Sequence, residues 1–181
     1  MDQTQIARVA EELYQEMERG ERPELKIETL AGQIVMQAAP SWQNSFIASR
    51  VERQLAAAYE PGSYVLQEAG VLLPDGSEPR PDVVVLHGLP ASNGRLTADL
   101  VDVVVEVASQ SNSDNNYVTK RRLYAAAGIP EYLIIDPGKG VCTYLAKPRH
   151  EGWASMTGYD FGEAIKLAGA VIETSGLPRV S

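Results

Sequence analysis

The sequence predicts an α/β fold with a central mixed sheet of about five strands and helices packed against it. Three very apolar β-type runs, PDVVVL, VDVVVEVA and EYLIID, lie between residues 81 and 137. Runs without alternation indicate strands that are covered on both faces. A helix is predicted between the second and third runs, with its cap at Ser113 or Asp114 and its end at Gly128, two residues before Pro130.

Two helices and a hairpin are predicted before these runs. Apolar residues recur at spacings of three and four from about Thr4 to Arg19, which is typical of an amphipathic helix. LKIETL and QIVMQAA flank Ala31-Gly32 and predict a β-hairpin. A second helix is expected from an N-cap at Ser41 to about Tyr59, with an apolar stripe of Phe46, Ile47, Val51, Leu55 and Ala58.

Shorter strands are predicted elsewhere. SYVLQEA and VLLP precede the first apolar run, and VCTYLA follows the third. The tail from Trp153 onward predicts one or two short strands, whereas EAIKLAG and AVIET are too brief for an assignment from pattern alone.

Length and composition indicate one globular domain. The chain has 181 residues, of which 44% are hydrophobic and 22% are charged, and this suits a single core. We expect one domain over residues 1–181, with an N-terminal helix over 1–23 and a core over 24–181. No apolar run reaches membrane-spanning length, and the N-terminal residues lack the apolar core of a signal peptide, so we expect a cytoplasmic location and no membrane contact.

Charge and cysteine content narrow the classes of function. The net charge of −8 counts against broad electrostatic binding of nucleic acid, although a bound divalent cation and a local basic strip would offset it near a site. One cysteine, Cys142, excludes an internal disulfide. One thiol and two histidines also exclude a Cys/His zinc site.

Two carboxylates, Asp82 and Glu106, lie in apolar runs whose packing does not require a charged residue. Asp82 begins the first run and Glu106 lies near the end of the second, so each is expected at a rim of the sheet. A carboxylate there is costly to desolvate unless it is paired or bound to metal. Two that converge would suit Mg²⁺ or Mn²⁺, which prefer oxygen ligands. The alternative is that each caps a strand end or pairs with an arginine.

Lys120 is the third polar residue of interest. Tyr117, Lys120, Tyr124 and Ala127 fall on one stripe of the predicted helix, so Lys120 is expected to point towards the sheet. An inward lysine requires an acidic or phosphate partner. The alternative is a lysine whose stem lies on the core and whose ammonium reaches water.

The order of these motifs resembles the Uma2 family (DUF820) of restriction-endonuclease-like proteins in the PD-(D/E)xK nuclease superfamily. PD is followed by ExxS, D-x5-K-x3-Y, G-x-P-EY and a final DP, at Pro81-Asp82, Glu106 to Ser109, Asp114, Lys120, Tyr124, Gly128, Pro130, Glu131-Tyr132 and Asp136-Pro137. GQIVMQAAPSWQNS also resembles the segment that leads into the family's first long helix. The resemblance covers roughly residues 24 to 180.

The resemblance implies a restriction-endonuclease-like core and a DNA endonuclease that uses Mg²⁺ or Mn²⁺. Asp82 and Glu106 would be the metal ligands, and Lys120 would be the catalytic lysine. Accessory roles would fall to Glu28, Glu52, Asp114 and Tyr124, although an exposed position on a strand is the simpler expectation for Glu28. We also expect the protein to form a homo-oligomer, namely a dimer.

The sequence departs from the family pattern at two positions. The superfamily's usual lysine, two residues after the glutamate, would fall at Ala108, and Asn44 stands where relatives commonly have a histidine. These departures and the acidic charge favour a second hypothesis, a catalytically inactive homologue that serves as a self-associating or partner-binding module. A metal-dependent hydrolase of a smaller phosphate ester is a third.

Overall fold

The structure is a computed structural model that describes residues 3–19, 25–59, 63–92, 94–109, 115–150 and 152–180. Three helices are α1 (Gln3–Glu18), α2 (Trp42–Ala58) and α3 (Arg121–Ala126), and a π-helical turn (Asn115–Lys120) leads directly into α3. The strands are β1 (Leu25–Leu30), β2 (Gln33–Ala38), β3 (Tyr64–Gln67), β4 (Val83–Leu86), β5 (Val101–Val107), β6 (Glu131–Asp136), β7 (Val141–Arg149), β8 (Gly152–Asp160), β9 (Ala164–Leu167) and β10 (Ala170–Glu173).

The centre of the molecule is a mixed sheet, as predicted, but it has six strands. They lie in the order β3-β4-β5-β6-β7-β8, and β5 and β6 are its one parallel pair within the described residues. The π-helical turn and α3 form the crossover between these two strands. Parallel neighbours need such a crossover, and it brings α3 over the end of β5.

Both faces of the sheet are covered, which explains the unbroken apolar runs. On one face, α2 and the β9–β10 hairpin bury Val83, Val85, Val103 and Val105. On the other, α3 and the β1–β2 hairpin lie over Val84, Val104 and Ile134. Glu106 is the carboxylate on this second face, opposite Ile134 of β6. α1 packs outside the hairpin against β1 and β2.

Local chemistry accounts for the ends of several elements. Ser41 caps α2, because its hydroxyl accepts the Asn44 N–H at 3.3 Å. Ala31 and Gly32 both have positive φ, as a two-residue hairpin turn of this hand requires. Gly128, at φ +78°, ends the α3 segment as predicted. The cap predicted at Ser113 or Asp114 lies outside the described residues.

Three predictions about the fold were wrong. VLLP is not a strand, since only a single bridge between Leu72 and Thr97 forms there. Phe46 is 41% exposed, because the buried side of α2 runs through Asn44, Ile47, Val51 and Leu55. The tail forms three strands, of which β9 and β10 are a separate hairpin.

The described helices include none that is long and apolar enough to cross a membrane.

Candidate active site

The most deeply buried charges lie between β1, β5 and the start of α3. The Nζ of Lys120 is 2.7 Å from Oε1 of Glu106 and 2.7 Å from Oε1 of Glu28. The hydroxyl of Tyr124 donates to Oε1 of Glu106 at 2.9 Å. All four side chains are buried, and Lys120 is 1% exposed. The inward direction predicted for Lys120 is therefore confirmed, and the alternative of an ammonium in water is wrong.

The elements fix this arrangement. Lys120 ends the π-helical turn and Tyr124 lies one turn later in α3, so both side chains reach the same carboxylate. Tyr124 packs edge-on against Tyr132 of β6, with ring centroids 5.0 Å apart. The indole N–H of Trp153 donates to the Arg121 carbonyl at 2.9 Å and holds α3 on the sheet.

Glu28 is fully part of the buried site, so the expectation of an exposed strand residue was wrong. Its Oε1 also accepts the Arg80 N–H at 2.6 Å, and its Oε2 accepts the Gln37 amide at 3.0 Å. β1 lies between the sheet and α1, so both its faces are covered, and the polar face points inward towards Lys120.

A second ion-pair group adjoins the first. Asp82 directly precedes β4, and its Oδ2 accepts the Val107 N–H at 2.6 Å, one residue after Glu106. Its Oδ1 is 2.8 Å from the Nζ of Lys26, which is also 3.1 Å from a carboxylate oxygen of Glu68. Lys26 and Glu68 were not predicted from the sequence. Lys26 lies two residues before Glu28 on β1, so the same strand face serves both groups.

The two groups form one electrostatic unit, which we call the ionic cluster: Glu28, Glu68, Asp82, Glu106, Lys26 and Lys120. Its four carboxylates and two ammonium groups leave two negative charges when all are ionised. Burial raises the pKa of Glu106 to about 7, and neighbouring Asp82 adds to this, against the lowering effect of Lys120. A proton on Glu106 is thus one way in which the cluster reduces its charge.

Asp82 and the two lysines of the cluster are held in their charged forms. Burial opposes ionisation of Asp82, but Lys26 and the Val107 N–H outweigh it and lower the pKa of Asp82. Burial likewise opposes the charge on each lysine. The surrounding carboxylates outweigh it and raise the pKa of Lys26 and of Lys120.

The remaining predicted residues lie outside the cluster or outside the described residues. Glu52 accepts a hydrogen bond from Gln67 at 3.1 Å on the surface of α2 and β3. Asn44 is buried in the first turn of α2. Ala108 is buried, and its N–H donates to the Ile135 carbonyl at 2.7 Å. Asp114 and the side chain of Tyr117 are not among the described parts of the chain.

The donor chemistry of the cluster fits a hard divalent cation. Carboxylate oxygens are the ligands that Mg²⁺ and Mn²⁺ prefer, and the surplus of two negative charges matches one such ion. Each predicted metal ligand is paired with a lysine here, Asp82 with Lys26 and Glu106 with Lys120. The described residues include no group of three or more His, Cys, Asp or Glu arranged to hold a metal. In the structure, lysine ammonium groups contact the carboxylate oxygens of Asp82 and Glu106.

Comparison with known proteins agrees with this architecture. A crystal structure of a putative nuclease belonging to DUF820 from Anabaena variabilis ATCC 29413 superposes with a TM-score of 0.64 at 16% identity, over 78% of this chain and 80% of the other. This similarity shows the fold. No curated protein is significantly similar to the chain. A family model described as Uma2, putative restriction endonuclease, matches residues 11–174 and supports a nuclease-like function. The chain therefore belongs to the Uma2 family of putative restriction endonucleases.

Proposed function

We propose that the protein is an endonuclease that hydrolyses DNA phosphodiester bonds with Mg²⁺ or Mn²⁺. The observation that supports this most is the meeting of Asp82, Glu106 and Lys120 in one ionic cluster, from three separate elements and in the order of the family motif. Asp82 and Glu106 would hold the cation, which would activate water and stabilise the charge that develops on the phosphate.

Neighbouring side chains and a backbone N–H hold the two candidate metal ligands in fixed orientations. Tyr124 and Lys120 both bond to Oε1 of Glu106 and so fix the direction of its carboxylate. The Val107 N–H does the same for Asp82. Glu28 provides Lys120 with a second carboxylate partner, at 2.7 Å. The catalytic role of Lys120 stays a prediction, as do the accessory roles of Glu28, Glu52, Asp114 and Tyr124.

Replacing Asp82 with asparagine tests the proposal. The amide oxygen of Asp82→Asn can still accept the Val107 N–H, so we expect a folded protein that has lost one charged metal ligand. Cleavage of supercoiled plasmid DNA in Mn²⁺ should fall by about a hundredfold or more. Asp99→Asn is the matched control, because Asp99 is an exposed residue of the short helical turn before β5. Equal cleavage by the wild type and Asp82→Asn would contradict the proposal.

The departure from the family pattern at Asn44 gives a further prediction. Asn44→His should raise the cleavage rate, because an imidazole can donate to phosphate or transfer a proton, and the first turn of a helix already favours anions. Single-turnover cleavage at equal folded fraction would measure the effect. An unchanged cleavage rate in a well-folded variant would mean that residue 44 plays no part in cleavage.

The second candidate is the inactive, self-associating or partner-binding homologue. The pairing of both candidate ligands with lysines and the net charge of −8 favour it. Binding of Mn²⁺ discriminates the two, because a nuclease requires the metal and a binding module does not. A bound cation raises the melting temperature by mass action, so thermal unfolding in Mn²⁺ and in EDTA provides the comparison. The homodimer and the cytoplasmic location stay predictions.

A further inference from the structure

The two lysines of the ionic cluster differ in their access to solvent. The side chain of Lys120 is 1% exposed and lies among Glu28, Glu106 and Tyr124, all of them buried. The side chain of Lys26 is 10% exposed, its partner Asp82 is 12% exposed, and its second partner Glu68 is 42% exposed. Solvent reaches the cluster from the side of Lys26, so a substrate would approach from that side.

Lys26 also occupies one of the two oxygens of a predicted metal ligand. Its Nζ is 2.8 Å from Oδ1 of Asp82, whereas Oδ2 of Asp82 is held by the backbone of Val107. An ammonium and a divalent cation that shared Oδ1 would repel each other, because both are positively charged. Lys26 in this position therefore opposes the binding of a cation to this oxygen.

We propose that Lys26 is the substrate-facing lysine of the site: it leaves Asp82 when a divalent cation binds there, and its ammonium then contacts the phosphate. This inference rests on the proposed function. It gives Lys120 a positioning role in place of the catalytic role that the family resemblance predicts, because the 1% exposed side chain of Lys120 contacts Glu106 and not the solvent-facing side of the cluster.

The surroundings of Lys26 support such a movement. Lys26 has Glu68 as a second partner at 3.1 Å, on the more exposed side, so its ammonium keeps a carboxylate partner as it swings away from Asp82. Lys120, in contrast, is held by two buried carboxylates, Glu28 and Glu106.

Metal binding alone tests the first half of the proposal. Calorimetric titration with Mn²⁺ should show at least about tenfold tighter binding by Lys26→Met than by the wild type, because the competing ammonium is gone. Lys166→Met is the matched control: it makes the same change of charge at an exposed position on β9, on the opposite face of the sheet, and should bind like the wild type. Unchanged or weaker binding by Lys26→Met would overturn the proposal. If that variant does not fold, Lys26→Gln is measured instead.

The salt dependence of DNA binding in Ca²⁺ tests the second half. The affinity for DNA falls as salt rises, and each lost phosphate contact makes the slope of log affinity against log salt less negative by about 1. Lys26→Met should therefore show a slope that is smaller in magnitude by about 1. Lys26→Arg and Lys166→Met should keep the wild-type slope. A lysine with a purely structural role would leave the slope unchanged, and that result would remove Lys26 from the substrate contacts.

The two measurements separate this proposal from the proposed function. If the wild type binds Mn²⁺ but no DNA, the nuclease function is wrong and the phosphate contact of Lys26 falls with it. The Mn²⁺ comparison still decides whether Lys26 competes for Asp82.

Discussion

Replacing Lys120 with methionine should lower the free energy of unfolding by about 3–5 kcal/mol, as the loss of one partner from a buried ion pair does. The change leaves Glu28 and Glu106 facing each other without the ammonium that lies 2.7 Å from both. Methionine keeps most of the packing of the lysine stem, so the lost stability comes from removal of the charge and not from a cavity. Urea denaturation at neutral pH measures it.

A double variant identifies the cause. Lys120→Met combined with Glu28→Gln removes one of the two carboxylate charges that have lost their lysine partner. The free energy of unfolding of the double variant should therefore be higher than that of Lys120→Met alone. Lys166→Met, which is exposed, should stay within about 0.5 kcal/mol of the wild type. A loss below about 1 kcal/mol for Lys120→Met would mean that the cluster is well hydrated or that Glu106 takes up a proton at little cost.

Stability should also depend on pH through Glu106. Burial raises the pKa of this carboxyl from 4.5 to about 7, so within that window the folded protein binds a proton that the unfolded chain releases. The stabilisation that this proton gives the folded protein is therefore fully present below pH 4.5 and is lost as the pH rises through 7. The free energy of unfolding should fall by about 1.4 kcal/mol per pH unit within the window, and by about 3 kcal/mol in total.

Glu106→Gln isolates this contribution, because glutamine stays uncharged and can still accept from Lys120 and Tyr124. The difference in unfolding free energy, wild type minus variant, should fall by about 3 kcal/mol between pH 4.5 and 7 in EDTA. Asp82 does not interfere, since its pKa is lowered from 3.8 and it titrates below the window. Parallel stability curves for the two proteins would show that Glu106 is ionised throughout.

The sequence was most informative where burial and pattern agree. β4, β5 and β6 are covered on both faces, and an unbroken apolar run is what such strands require. Against that background the polar residues Asp82 and Glu106 stood out. Lys120 could be oriented because Tyr124 lies four residues later, and one helical turn brings both side chains to the same side.

The sequence was misleading where a polar face turns inward. In LKIETL the alternation places Lys26 and Glu28 together, and a charged strand face ordinarily meets water. Here that face covers the ionic cluster, while Ile27 is buried on the other side, where α1 packs. Only the tertiary position of the hairpin distinguishes the two cases. VLLP shows the converse, because Val71 and Leu73 are buried without belonging to a strand.

The long chain separations within the ionic cluster have a consequence for folding. Lys26 meets Asp82 across 56 positions, and the separation between Glu28 and Lys120 along the chain is larger still. Contacts between such distant residues form only after much loop-closure entropy has been lost, so they come together late. On the ribosome, the hairpin, β4 and β5 have to wait for the segment around Lys120 to emerge. A nascent chain that has not yet exposed Lys120 therefore has no assembled ionic cluster.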